Sequence, residues 1–193
     1  MKLKNSYWRW FSVYLVFIFL QEFYYTIYNS STLFGLSKTT YYGYIGIPVQ
    51  YLFFYWLYAL KSLKKRYLFI CICSLYLLTY IPMRLLYGET DFVYPINLTV
   101  GTILLTSLVI LEYLKQIRND AILRFKTHKM FYINLGVILF YIGTYPLFAF
   151  PDEFRNPINK TLGNAYYLYF LFSNYAMYLL FTISFIWGKH PLK

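Results

Sequence analysis

The chain has 193 residues, of which 60% are hydrophobic and 13% are charged, and its formal net charge is +11. Soluble domains are about half apolar and a quarter charged, so a soluble core of this length could not absorb so much apolar surface. The composition therefore excludes an ordinary soluble domain and predicts a single integral membrane domain over residues 1–193. The basic residues are divided among short segments, which indicates membrane topology and argues against nucleic-acid binding.

Six apolar runs have the roughly 17 to 25 residues that a helix needs to cross about 30 Å of hydrocarbon. Helices are expected because lipid offers no hydrogen-bond partners to the backbone. The predicted fold class is all-α, a polytopic bundle of six transmembrane helices. These helices are predicted near residues 8–28, 43–60, 67–86, 94–115, 130–149 and 166–187.

Lys and Arg residues are divided unequally between the two ends of the predicted helices. Fourteen lie in the N-terminal segment, the second and fourth connections and the C-terminal tail, whereas four lie in the remaining connections. The side of a membrane that carries more Lys and Arg is the cytoplasmic side, so both termini are predicted to be cytoplasmic. The basic inner loops suit anionic lipid headgroups or a cytoplasmic or membrane protein partner.

The first predicted helix contains a carboxylate, Glu22, about 21 Å from its inner end at 1.5 Å per residue. Ionisable groups inside a membrane usually face the bundle and find a partner. Arg84, near the outer end of the third helix, differs from Glu22 by only about 5 Å in depth, so we expect these two side chains to pair. The other four helices also bring hydrogen-bonding residues to the outer half: Gln50, Asn97, Tyr145 and Asn174.

This outer-half polar cluster is compatible with two roles, which the sequence leaves open. The six residues could clamp the helices together through an ion pair and interhelical hydrogen bonds. They could equally form an outward-facing pocket that binds a small molecule or ion. Arg84 could also extend to the outer interface without pairing.

The sequence lacks the motifs of enzymes that act through a metal, a nucleotide or a carboxylate pair. It has no His-Glu-x-x-His, no paired intramembrane aspartates and no P-loop. His128 and His190 fall at the predicted cytoplasmic edge, and Cys71 and Cys73 lie on different sides of one helix. We therefore expect no enzymatic activity, no catalytic residue, no metal site and no cofactor.

Two stretches carry a resemblance to a known family. They are His128-Lys-Met-Phe-Tyr-Ile-Asn-Leu-Gly-Val-Ile-Leu-Phe-Tyr-Ile-Gly and Asn174-Tyr-Ala-Met-Tyr-Leu-Leu-Phe-Thr-Ile-Ser-Phe-Ile-Trp. Together they resemble uncharacterised bacterial six-helix membrane proteins, which are similar to the membrane halves of two-component sensors. The resemblance lies mainly within residues 128–187 and implies a location in the bacterial inner membrane.

The sequence favours sensing or signal coupling, in which the outer pocket receives a stimulus and the basic inner loops contact a partner. One alternative is a small-solute binding or transport subunit, although such subunits are usually richer in Ala than this chain. A second alternative is an oligomeric pore or membrane effector, for which the Thr- and Ser-bearing fourth helix offers the nearest approach to a polar stripe. The expected partners are the lipid bilayer, a protein, a small-molecule ligand or further copies of the chain.

Overall fold

The computed structural model describes residues 8–27, 32–33, 36–81, 93–119, 125–126, 128–146 and 160–187. These residues are almost entirely helical. A two-residue antiparallel pair, β1 and β2, lies between the first two helices with Thr32 opposite Ser37. The elements in chain order are α1 (Trp8–Ile27), β1 (Thr32–Leu33), β2 (Leu36–Ser37), α2 (residues 38–62), α3 (Arg66–Leu78), α4 (Val93–Arg118), α5 (Lys129–Ile142) and α6 (Lys160–Trp187).

The predicted all-α fold class is confirmed, and each predicted apolar run coincides with one of the six helices. Two helices begin earlier than predicted, α2 at Lys38 instead of residue 43 and α6 at Lys160 instead of residue 166. A hydropathy pattern detects only the apolar part of a helix, whereas the backbone remains helical through the flanking polar residues. The last parts of the third and fifth predicted helices, residues 82–86 and 147–149, lie outside the described residues.

Two of the described helices are long and apolar enough to cross a membrane. They are the segment Ile96–Arg118 of α4 and the segment Thr161–Trp187 of α6. Length and composition identify them, since about 20 apolar residues are needed to span the hydrocarbon. The crossing of all six helices and their orientation remain predictions.

The core of the bundle is built from aromatic rings. Tyr14 of α1 stacks on Phe53 of α2, with ring centroids 4.0 Å apart. Phe11 of α1 meets Phe181 of α6 edge to face, with centroids 5.2 Å apart. Aromatic pairs of this kind contribute about 0.5 to 1.5 kcal/mol each beyond the area that they bury. These rings fix α1 against both α2 and α6.

A π-helical turn precedes Pro48 in α2 and creates a contact with the third helix. Proline has no amide hydrogen, and the Ile47 N–H bonds to the Tyr42 carbonyl five residues back. The Gly43 carbonyl therefore receives no backbone hydrogen bond from Pro48. The hydroxyl of Tyr80, just after α3, donates to that carbonyl at 3.1 Å. The Gly43 carbonyl of α2 thus holds the C-terminal end of α3 in place through Tyr80.

Another π-helical turn, Ile138–Ile142 in α5, is completed by a tyrosine of α6. The Gly143 N–H bonds to the Ile138 carbonyl, and the Thr144 N–H bonds to the Phe140 carbonyl, both at 3.0 Å. The carbonyl of Leu139 therefore receives no backbone hydrogen bond. The Tyr169 hydroxyl donates to the Leu139 carbonyl at 2.8 Å. Gly143 makes this approach possible, because a Cβ at that position would overlap the hydroxyl of Tyr169.

Candidate functional site

A cavity of about 380 Å³ lies at the end of the bundle where α1 ends and α2 begins. This volume is typical of pockets that hold small molecules. Four of the six residues of the predicted outer-half cluster line it, contributed by α1, α2, α6 and the turn after α5. The lining residues are Glu22, Tyr42, Ile47, Gln50, Tyr51, Leu98, Thr102, Phe140, Tyr141, Thr144, Tyr145, Phe170, Asn174, Met177 and Tyr178.

Glu22 joins α1 to the beginning of α2. Its carboxylate accepts a hydrogen bond from the Tyr42 hydroxyl at 2.7 Å and another from the neighbouring Gln21 amide at 3.5 Å. The Tyr41 hydroxyl donates to the Gln21 side-chain oxygen at 3.2 Å. The predicted partner Arg84 lies outside the described residues, so the ion pair between Glu22 and Arg84 stays a prediction.

Gln50 and Tyr145 each connect two helices across the cavity. The Tyr141 hydroxyl donates to the Gln50 side-chain oxygen at 2.7 Å, which links α5 to α2. The Tyr145 hydroxyl donates to the Thr99 hydroxyl of α4 at 3.2 Å. These bonds hold the cavity walls at fixed separations.

Asn174 lines the cavity from α6 and differs from the other cluster members. Its side chain forms no hydrogen bond with any of the residues that the structure describes. A carboxamide has two donors and an acceptor, and the half-buried Asn174 side chain leaves these free of the described residues. Asn174 therefore offers hydrogen bonds to a bound molecule.

Asn97 belongs to a helix clamp and is not among the residues that line the cavity. It is buried, with its side-chain oxygen 2.6 Å from the Thr79 hydroxyl, which follows α3. This contact joins α3 to α4. The predicted cluster thus divides into cavity residues and at least one residue with a purely structural contact.

The wall between α2 and α4 depends on a glycine. A Cβ at Gly101 would lie 2.8 Å from the ring of Tyr51, which is fully buried. The Tyr51 hydroxyl is 2.8 Å from the Thr102 hydroxyl, and the Tyr55 hydroxyl donates to the Gly101 carbonyl at 2.9 Å. The small residues of α4 therefore admit tyrosine rings, as small-residue faces of membrane helices admit close neighbours.

A second polar cluster lies at the opposite end of α2, around Glu112. Glu112 is fully buried on α4. Its carboxylate accepts hydrogen bonds from the Ser62 hydroxyl at 2.6 Å and from the Gln116 amide at 3.2 Å. The Lys115 ammonium lies 3.6 Å from it and also donates to the Ser62 carbonyl at 2.9 Å.

This second cluster closes the C-terminal end of α2 onto α4. The helical spacing of Glu112, Lys115 and Gln116 places them on one face and is visible in the sequence. The contact with Ser62, fifty residues earlier in the chain than Glu112, cannot be read from the sequence. His128 lies nearby, and burial lowers the pKa of its imidazole, although Glu112 acts in the opposite direction. The lowered pKa favours the neutral form of the His128 imidazole.

No lysine or arginine among the described residues lines the cavity. In that same part of the chain, no three or more His, Cys, Asp or Glu side chains are grouped to hold a metal ion. Among the described residues, the cavity therefore presents phenols, hydroxyls, two carboxamides and one carboxylate beside apolar side chains such as Ile47, Leu98 and Met177. Comparisons with models of protein families, with curated proteins and with solved structures found no match to this chain.

Proposed function

We propose that the chain is a non-enzymatic protein of the bacterial inner membrane that senses a small polar molecule and couples its binding to a partner. In this proposal six helices cross the membrane, both termini are cytoplasmic, and the cavity opens towards the outer face. The observation that supports it best is the joining of Glu22, Gln50, Tyr145 and Asn174 around one cavity, with the Asn174 carboxamide unmatched among the described residues.

The cavity lining indicates which molecules suit it. Carboxamides and phenols donate and accept hydrogen bonds, and aromatic faces attract cations as well as flat apolar groups. The Glu22 carboxylate in the lining favours a positively charged or hydrogen-bond-donating group. The proposed ligand is therefore a neutral or positively charged polar molecule.

The two helices that face each other across the cavity provide a means of coupling. Tyr42 lies in one π-helical turn, and Phe140 and Tyr141 lie in another. Such turns are frequent at functional sites. The opposite end of α2 leads directly into the basic segment Lys64, Lys65 and Arg66, which is exposed and suits an acidic partner.

A small-solute binding subunit of a transporter is the alternative that the cavity also favours. A captured solute would need the same enclosed polar site, so the cavity alone does not distinguish the two. A sensor retains its ligand reversibly without moving it, whereas a transport subunit delivers the solute across the membrane. Uptake of labelled solute into vesicles that contain the chain would favour transport.

The proposed topology predicts where reporter proteins are active. A fluorescent protein that matures only in the cytoplasm, fused after Lys193, is expected to fluoresce, since the basic ends remain inside. Alkaline phosphatase inserted within residues 151–159 is expected to be active, because that connection is predicted to lie outside. The reverse pattern would contradict the orientation.

Replacement of Asn174 by Leu is expected to remove a co-purifying small molecule. The change deletes the carboxamide and fills part of the cavity, so bound ligand should fall at least about tenfold, which corresponds to about 1.4 kcal/mol. Native mass spectrometry of the full chain in detergent micelles measures this directly. The matched control is Phe172→Leu on the same helix, whose side chain is exposed away from the cavity.

The result for Asn174→Leu distinguishes a ligand-binding role of the cavity residues from a purely structural role. If wild-type protein carries no small molecule, or if Asn174→Leu and Phe172→Leu retain it equally, the cavity is not the binding site. A drop in thermal stability of the Asn174→Leu protein with no ligand found in either protein would indicate a structural role.

A further inference from the structure

A groove of about 610 Å³ runs along the outside of the bundle between α1 and α2, distinct from the cavity. Its α1 wall is formed by Trp10, Val13 and Phe17, all exposed. Its α2 wall is formed by Val49, Phe53 and Trp56. In the membrane placement proposed above, these apolar walls face lipid acyl chains.

One end of the groove carries a positive charge. The Lys61 ammonium lies 5.2 Å from the centre of the Trp56 ring, so the ring holds the charge beside the groove. No acidic side chain lines the groove among the residues described. The groove is therefore apolar along its length and cationic at a single end.

The turn after Lys61 adds further charge and is held in a defined shape. Lys64 adopts a left-handed backbone conformation with φ of 58°. The Leu63 N–H bonds to the Tyr58 carbonyl at 2.8 Å, and the Lys65 N–H bonds to the Ala59 carbonyl at 2.9 Å. These bonds close the end of α2 and hold Lys64, Lys65 and Arg66 as an exposed basic turn next to the cationic end of the groove.

The length of the groove matches one leaflet of a bilayer. Val49 and Lys61 are twelve residues apart, which is at most about 18 Å at the α-helical rise of 1.5 Å per residue, because Trp56–Ser62 is the more compact π-helix. Half the hydrocarbon core is about 15 Å thick. A single acyl chain lying in the groove would thus place its headgroup at Lys61.

We propose that the groove between α1 and α2 binds an anionic phospholipid, with one acyl chain against Val13, Phe17 and Val49 and the headgroup phosphate on Lys61. The charge at one end selects an anionic over a zwitterionic headgroup, and the apolar walls select a lipid over a soluble phosphate. This inference rests on the membrane placement proposed above, with Lys61 at the cytoplasmic face, where anionic lipids attract basic residues.

The test compares two lipids with identical chains. The full-length protein in detergent micelles is titrated with dimyristoyl phosphatidylglycerol or with dimyristoyl phosphatidylcholine, and bound lipid is counted by native mass spectrometry. Wild-type protein should retain phosphatidylglycerol preferentially. Lys61→Gln should weaken phosphatidylglycerol binding about fivefold, as expected for one lysine near an anionic headgroup. It should weaken phosphatidylcholine binding by less, because the choline ammonium cancels the phosphate charge.

Two further variants separate the headgroup from the chain. Val49→Trp, which fills the groove on the surface of α2, should reduce binding of both lipids. Lys126→Gln, which removes the same charge from an exposed position between α4 and α5, should change neither. Equal effects of Lys61→Gln and Lys126→Gln, or unchanged lipid binding in Val49→Trp, would overturn the proposal.

The lipid proposal and the proposed function fail in different ways. Asn174→Leu alters the cavity and should leave phosphatidylglycerol binding intact, so a lost small molecule with retained lipid selectivity supports both. Reporter activities that reverse the orientation would refute the membrane placement. The lipid titration is made in micelles, so it tests lipid binding by the groove whichever way the protein is oriented in a membrane.

Discussion

Replacement of Glu112 by Leu is expected to lower the free energy of unfolding by about 2 to 3 kcal/mol. The carboxylate is fully buried and accepts hydrogen bonds from Ser62 and Gln116, with the Lys115 ammonium 3.6 Å away. Removing one partner of a buried ion pair costs about 3 to 5 kcal/mol when the remaining charge stays buried. The Lys115 side chain is 39% exposed, so solvent can take up its charge and the loss is smaller.

The matched variant Glu112→Gln separates charge from hydrogen bonding. Its amide oxygen can still accept the hydrogen bond from Ser62, so it should retain more than half of the stability lost in Glu112→Leu. Denaturant titration of both proteins in micelles, followed by circular dichroism, measures the difference. A Glu112→Leu protein as stable as wild type would show that this cluster does not hold α2 against α4.

Replacement of Tyr169 by Phe is expected to lower the free energy of unfolding by about 1 to 3 kcal/mol. The change removes the hydroxyl that donates to the Leu139 carbonyl at 2.8 Å. The π-helical turn of α5 passes over this carbonyl, so no backbone amide replaces the lost donor. This acceptor is only partly buried, so the loss should fall at the lower end of that range.

Two comparisons show whether the effect arises at this contact. Tyr167→Phe removes a hydroxyl from an exposed position on the same helix and should change stability by less than about 0.5 kcal/mol. Gly143→Ala should displace Tyr169 from the same carbonyl, so the double variant with Tyr169→Phe should lose less than the sum of the single losses. Additive losses would show that Gly143 and Tyr169 act independently.

Much of the fold could be predicted from the hydropathy pattern. Apolar runs longer than 17 residues have one stable conformation in lipid, because only a helix satisfies its own backbone. The six helices lie where these runs lie, from Trp8 in α1 to Trp187 in α6. The π-helical turns were not predicted, because they depend on which carbonyls find a side-chain donor on a neighbouring helix.

The candidate site was predicted in part. Depth along a helix follows from residue number, so Glu22, Gln50, Tyr145 and Asn174 could be assigned to one end of the bundle. Depth says nothing about rotation around the helix axis, and for that reason Asn97, at a similar depth, contacts Thr79 and does not line the cavity. The phenols of the lining were indistinguishable in the sequence from the many other tyrosines.

The sequence by itself determined that this is a helical bundle in which every predicted helix places a polar group near one end, because polarity and helical rise are local properties. Only the tertiary structure decided which of those groups share a cavity, and that Glu112 at the other end is the most deeply buried carboxylate among the described residues. Partners such as Ser62 and Glu112, or Leu139 and Tyr169, are brought together by helix packing. Packing depends on the shapes of all facing side chains at once, and no local pattern encodes it.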